Sequence, residues 1–233
     1  VWVINDATVC DSLTKAFAPV EAFYIADGHH RCASAVNVAK MRREHSFDYT
    51  GKEEFNYFLS VLFPAGELEI MDYNRVIADL NGYSDEEFIE RVREKFRVLP
   101  FIAQGCFKPE KKHTFGMFLS GKWHVLEAKD GAFDENDPVE RLDVSILQNN
   151  LISPILGIND PRTDKRIDFV GGIRGLHELE EKVNGGMRVA FSMYPTTLED
   201  LMSIADAQKV MPPKSTWFEP KLLSGLFIHK LSE

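Results

Sequence analysis

The residue types best suited to chemistry lie close together near the start of this 233-residue chain. Five consecutive positions are acidic, conformationally free or able to carry positive charge: Asp27, Gly28, His29, His30 and Arg31. The apolar run Phe23 to Ala26 precedes them and predicts a strand, and the stretch Cys32 to Glu44 predicts a helix. The first turn of a helix presents unpaired backbone N–H groups and the positive end of the helix dipole. The pattern therefore predicts a phosphate site at this turn.

Each residue of this motif has a role in such a site. Gly28 and the N–H groups after it cradle phosphate oxygens, while His29, His30 and Arg31 neutralise their charge. Asp27 orients a histidine, binds a metal ion or serves as a base. We predict that Asp27, His29 and His30 are catalytic, and that Gly28, His29, His30 and Arg31 bind the phosphate of a nucleotide.

Taken singly, the same residues also have ordinary structural explanations. Asp27 and Gly28 are typical turn residues, and an acidic residue before a helix is more often a cap than a catalyst. His29 and His30 point about 100° apart on a helix, so at most one of them lies squarely over a shared ligand. Five such positions in a row, between a strand and a helix, favour the site.

The motif also resembles a known signature. The order of a strand, Asp-Gly-His-His-Arg and a helix resembles the signature of the ParB/sulfiredoxin-type fold. It resembles more closely a family of uncharacterised bacterial and archaeal proteins that share this motif. Two later blocks strengthen the resemblance to the bacterial branch. One is Leu156 to Asp164 followed by Ile167 to Gly172, and the other is Met211 to Lys221 with Ser224 to Leu226. The three blocks occur in the family's order and cover most of the chain.

The family includes an archaeal ADP-dependent free-serine kinase, so the resemblance implies a kinase-like phosphotransferase. It implies ADP or ATP as cofactor, magnesium as a candidate ion at Asp27, and a small hydroxylated, serine-like metabolite as substrate. Family members are usually longer, and this chain resembles their later half. We therefore expect a fragment whose partner is the missing N-terminal half of the same protein, with at most weak nucleotide binding and no turnover of its own.

Two further groups of residues are candidates for anion binding. Lys214, Ser215 and Thr216 supply a cation and two hydroxyls after a pair of prolines, although the glycines of a Walker A loop are missing. A surface loop entering a strand explains these three equally well. Arg162 is the best anion contact in the charged stretch 159–166. Three acids at 160, 164 and 168 suit a divalent ion, but an internally paired loop is favoured because the EF-hand glycine and closing glutamate are absent.

Charge and composition narrow the function classes. The net charge of −9 and the pI of about 5.3 disfavour nucleic-acid binding, which uses a basic face. A ParB-like nucleic-acid-binding or nuclease module is nevertheless the main alternative, and a non-catalytic nucleotide-binding protein is another. Three widely spaced cysteines, Cys10, Cys32 and Cys106, suit a cytoplasmic protein without a disulfide framework. No apolar run approaches the roughly 20 residues of a membrane span.

Alternating helices and strands predict an α/β fold with a mixed sheet and some α+β character. We divide the chain into a ParB/sulfiredoxin-like core carrying the motif (1–83), a helix-plus-hairpin insertion or small lobe (84–137) and an α/β segment returning to the core (138–233).

Individual elements are also predicted. Ser84 and Glu87 form a capping box for a helix that ends at Phe96, and residues 114–126 form a hairpin around Ser120 and Gly121. Helices are predicted from Pro138 to about Asn149, from Arg174 to Asn184 and from Leu198 to Ala207. Strands are predicted over 1–4, 55–63, 68–71, 188–193, 215–218 and 226–231.

Overall fold

The structure, a computed structural model, describes residues 2–223 and 225–231. It contains two compact units. The first comprises the chain up to Ser60 together with the residues from Gly225 onward, and the second begins at Val61 and ends at position 224. This division differs from the predicted segments 1–83, 84–137 and 138–233.

The first unit is helical. Helix α1 spans Ala7–Phe17, helix α2 spans His29–Glu44, and a short 3₁₀ turn spans Glu54–Asn56. Asp6 caps α1 by accepting a hydrogen bond from the N–H of Val9 at 3.1 Å. Ala39 is a buried residue of α2, whereas many of the unit's large apolar side chains are exposed.

Several strands predicted for this part of the chain are wrong. Residues 2–4, 23–26, 55–63 and 226–231 form no strand in the structure, and Val1 and Ser224, which belong to predicted blocks, lie outside the described residues. Apolar runs form strands only where a neighbouring strand supplies a hydrogen-bonded ladder, and these runs have no such neighbour among the described residues. In particular, residues 23–26 do not lead into the motif as a strand.

The second unit is built on a six-stranded sheet with the strand order β3-β5-β4-β7-β2-β6. In chain order its strands are β2 (Tyr73–Ile77), β3 (Phe96–Pro100), β4 (Thr114–Leu119), β5 (Lys122–Ala128), β6 (Ile167–Gly171) and β7 (Val189–Ser192). Every pairing in this sheet is antiparallel. The expected mixed sheet is therefore wrong, although the coarser α/β prediction with α+β character agrees with the structure.

A second, two-stranded antiparallel sheet pairs β1 (Glu69–Met71) with β8 (Trp217–Glu219). The helices of this unit are α3 (Asp85–Lys95), α4 (Asp143–Leu147), α5 (His177–Asn184) and α6 (Leu198–Asp206). A π-helical turn, Gln148–Ile152, continues α4.

The hairpin of the predicted helix-plus-hairpin segment is part of the main sheet. Ser84 and Glu87 form the capping box of α3, and Ser120 and Gly121, with φ of 49° and 75°, make the tight turn between β4 and β5. Strand β4 then pairs with β7, so the hairpin forms part of the six-stranded sheet. The core beneath it contains fully buried aromatic and aliphatic side chains, among them Phe88, Phe96, Phe115, Leu126 and Phe191.

Two predicted helices begin later than expected. The Asp137 carboxylate accepts hydrogen bonds from the N–H groups of Val139 and Glu140, which holds a turn there and delays the helix to α4. Gly175, with φ of 74°, separates a short 3₁₀ turn from α5. No helix among the described residues is long and apolar enough to cross a membrane.

Candidate functional site at the start of helix α2

The motif lies where the sequence predicts it, at the N-terminus of α2. Gly28 is the N-cap residue and has φ 87° and ψ 26°, a left-handed conformation that glycine adopts without steric cost. The Oδ1 atom of Asp27 accepts a hydrogen bond from the N–H of Gly28 at 2.8 Å. Because Gly28 has no side chain, the N-cap residue itself does not occupy the N–H groups of the first turn.

Arg31 folds back over this turn. A Cβ atom added to Gly28 would lie 3.0 Å from Nη2 and 3.1 Å from Nε of Arg31. The guanidinium therefore lies beside the backbone that leads into the helix. His29, His30 and Arg31 are exposed, so the turn is open to solvent. A cation, two histidines and a helix N-terminus at one open turn are suited to bind an anion.

Lys214, Ser215 and Thr216 belong to the second unit, directly before β8. The buried hydroxyl of Ser215 donates to the carbonyl of Pro212 at 2.6 Å, so it is used within its own loop. The Lys214 ammonium is 5.7 Å from the ring centre of Tyr73 and 5.9 Å from that of Phe169. Lys214 and Ser215 thus make local contacts at the entry into β8.

Arg162 also lies in the second unit and pairs with its own loop. Its Nε and Nη2 atoms donate to the two carboxylate oxygens of Asp160, each at 2.9 Å, and these bonds lower the pKa of Asp160. Asp164 pairs in the same way with Arg166, and Asp168 pairs with Lys182 at 2.9 Å. The interpretation as an internally paired loop is confirmed for Asp160 and Asp164, whereas Asp168 pairs with a residue of α5.

The two later sequence blocks, 156–172 and 211–226, meet on β2. Gly171, at the end of β6, is opposite Tyr73 in the ladder, and Trp217 of β8 packs edge-on against the Tyr73 ring with 5.5 Å between ring centres. Arg75 is buried nearby and donates to the carbonyl of Lys214 at 3.0 Å. Burial lowers the pKa of Arg75 to about 10. The two blocks thus have a shared structural role in the second unit.

A buried carboxyl group in the second unit was not predicted as functional. Asp143, the first residue of α4, accepts hydrogen bonds from the N–H of His113 at 2.9 and 3.1 Å. Burial raises its pKa to about 7, although the His113 N–H and the Lys112 charge act in the opposite direction. The nearby Asp200 pairs with Lys112 at 2.7 Å. The signal in the sequence was a single acid inside the apolar run 142–147.

Residues 1–145 match the family model described as "Protein of unknown function (DUF1015)". The chain belongs to the DUF1015 family. This match confirms the resemblance of the motif to a family of uncharacterised proteins.

Among solved structures, the DUF1015 chain is similar to a free serine kinase in complex with AMP (17% identity, TM-score 0.42, covering 93% of this chain and 81% of that one). It is also similar to a mutant form of a free serine kinase in complex with AMP (17%, 0.43, 91% and 78%). A third similar structure is a conserved hypothetical protein from Pyrococcus furiosus (15%, 0.42, 91% and 81%). No curated protein matches the chain.

Proposed function

We propose that the DUF1015 chain binds the phosphate of a nucleotide at the start of α2 and belongs to a phosphotransferase that acts on a small hydroxylated metabolite. The observation that supports this best is the position of the Arg31 guanidinium beside Gly28, at a helix start open to solvent. Phosphoryl transfer depends mainly on charge neutralisation and positioning, which such a turn is suited to supply.

The residues of the turn have distinct roles in this proposal. The N–H groups that follow Gly28 bind phosphate oxygens, and Arg31 contacts the same phosphate through two N–H groups. His29 or His30 neutralises the remaining charge. Asp27, whose Oδ1 already accepts from Gly28, orients a histidine, holds magnesium or acts as the base. The cofactor is ADP or ATP, and the ParB/sulfiredoxin-like assignment of the core stays a prediction.

The candidate anion contacts at 162 and 214–216 have a smaller part in this proposal. Arg162 and Ser215 are engaged by Asp160 and Pro212, so either side chain must leave its present partner before it binds an anion. Lys214 and Thr216 stay predicted anion contacts of the second unit. The nucleotide site therefore depends on residues 27–31.

A ligand screen on the chain tests this function. AMP, ADP and ATP, each with and without magnesium, should raise the melting temperature because a ligand that binds only the folded state stabilises it. AMP and ADP are also the nucleotides in the complexes of the similar structures. Serine and other small alcohols are then offered with each nucleotide, and mass spectrometry should detect no phosphorylated product, since the chain is expected to have no turnover of its own. If no nucleotide changes the melting temperature at millimolar concentration, the proposed function is wrong.

A further inference from the structure

Three side chains with different metal-ligating atoms converge in the second unit, at a place unrelated to the motif. Cys106 lies in the irregular connection after β3, and His177 and Glu180 lie in the first turn of α5. Their ligand atoms all lie within 4.8 Å of one another. The Sγ atom of Cys106 is 3.7 Å from Nδ1 of His177, which is 3.1 Å from Oε2 of Glu180.

These separations suit one tetrahedral cation. Zinc lies about 2.3 Å from a thiolate, about 2.0–2.1 Å from an imidazole nitrogen and about 2.0–2.2 Å from a carboxylate oxygen. Tetrahedral angles then place sulfur and nitrogen about 3.6 Å apart, and nitrogen and oxygen about 3.3 Å apart. The observed 3.7 and 3.1 Å differ from these values by only a few tenths of an ångström. For the third pair, Cys106 and Glu180, the ligand atoms lie within 4.8 Å of one another.

Neighbouring groups already orient the ligands. Trp123 donates from Nε1 to Oε1 of Glu180 at 2.7 Å, which turns Oε2 toward His177. His177 and Glu180 are three residues apart on α5 and so share one helix face. A second hydrogen bond that fixes the direction of a ligand is typical of metal sites.

We propose that Cys106, His177 and Glu180 bind Zn²⁺. One sulfur, one nitrogen and one oxygen ligand match the borderline-soft character of zinc better than that of magnesium or calcium, which prefer oxygen ligands. Three protein ligands leave a fourth position for water. Cys106 also lines a cavity of about 680 Å³, together with Phe101, Lys108 and Lys111 among others.

Cobalt(II) titration of the reduced chain tests the site, because the absorption spectrum of bound Co²⁺ depends on the ligands that hold it. One equivalent of Co²⁺ should bind and produce a thiolate-to-cobalt band in the near ultraviolet, and Zn²⁺ should displace it. Cys106→Ser should abolish the band. His177→Ala, which removes a side chain that is 81% exposed and so leaves the fold intact, should weaken Zn²⁺ binding by at least about tenfold.

Cys10→Ser is the matched control, because Cys10 is an exposed thiol of the first unit. This variant should keep the band and the zinc affinity of the wild type. The absence of stoichiometric binding at micromolar Zn²⁺ would overturn the site. A band that survives Cys106→Ser, or zinc affinity unchanged by His177→Ala, would overturn it as well.

Discussion

Trp217 packs directly against the backbone of Gly171. A Cβ atom added to this glycine would lie 2.6 Å from Cε3 of the indole and less than 3 Å from two further ring atoms. The absence of a side chain at position 171 thus lets β8 approach the end of β6. This contact joins a glycine of one of the two later sequence blocks to a tryptophan of the other.

Gly171→Ala should therefore destabilise the second unit by about 1–3 kcal/mol, because an added methyl group overpacks a filled contact. Gly66→Ala is the control, since nothing lies within 4 Å of a Cβ at that position and its φ is not positive. Urea unfolding measures both free energies. Equal stability of the two variants would show that the indole moves aside without cost.

Asp143 should make stability depend on pH. The pKa of Asp143 in the folded protein is raised to about 7. Its contribution to the free energy of unfolding is therefore fully present below the ordinary pKa near 4 and is lost as the pH rises through 7. The loss is on the order of 4 kcal/mol. Asp143→Asn keeps an oxygen that accepts from His113, so this variant should lack the loss and be more stable than the wild type above pH 7.

Urea unfolding between pH 4.5 and 8.5 measures this effect, with Asp130→Asn at an exposed position as the control. The comparison of each variant with the wild type also separates Asp143 from His113, whose pKa is lowered by burial. A parallel pH profile for wild type and Asp143→Asn would contradict the assignment.

Gly28→Ala should disturb the phosphate site in two ways. The left-handed backbone costs an alanine about 1–2 kcal/mol, and the new methyl group contacts the Arg31 guanidinium. Gly51→Ala is matched to it, because Gly51 has φ 85° and a Cβ there would meet only the Tyr49 hydroxyl at 3.9 Å. Thermal melts should show similar destabilisation of both variants. Calorimetry should show weaker ADP binding for Gly28→Ala alone, and equal ADP affinity would separate Gly28 from the site.

Binding to duplex DNA should be weak. The net charge of −9 provides little of the phosphate neutralisation on which such binding depends. Fluorescence anisotropy with a labelled duplex at physiological salt measures it. Tight binding with a steep salt dependence would instead favour the ParB-type nucleic-acid module.

Elements set by local signals could be predicted from the sequence. The capping box of α3 and the Ser120–Gly121 turn depend on residues a few positions apart, and both are present. The sequence could not show that residues 23–26 form no strand, because a strand depends on a partner that sequence periodicity does not reveal. The antiparallel order of the sheet depends on the same long-range pairing.

The two candidate sites also differ in whether local sequence or long-range packing forms them. The motif at the start of α2 is contiguous, so its residues and the helix start near His29 could be predicted. Cys106 is 71 positions from His177, and only packing brings them together. The spacing of His177 and Glu180 on one helix face was the one local signal for that cluster.

The most direct test of the central claim is calorimetric titration of ADP into wild type, Arg31→Lys and Arg93→Lys. Lysine does not reproduce the two-pronged contact of a guanidinium with a phosphate, so Arg31→Lys should weaken ADP affinity about tenfold or more at an unchanged melting temperature. Arg93, an exposed residue of α3 paired with Glu90, is the control and should leave ADP affinity unchanged. ADP binding of equal strength in all three proteins, or none in the wild type, would contradict a nucleotide site at Arg31.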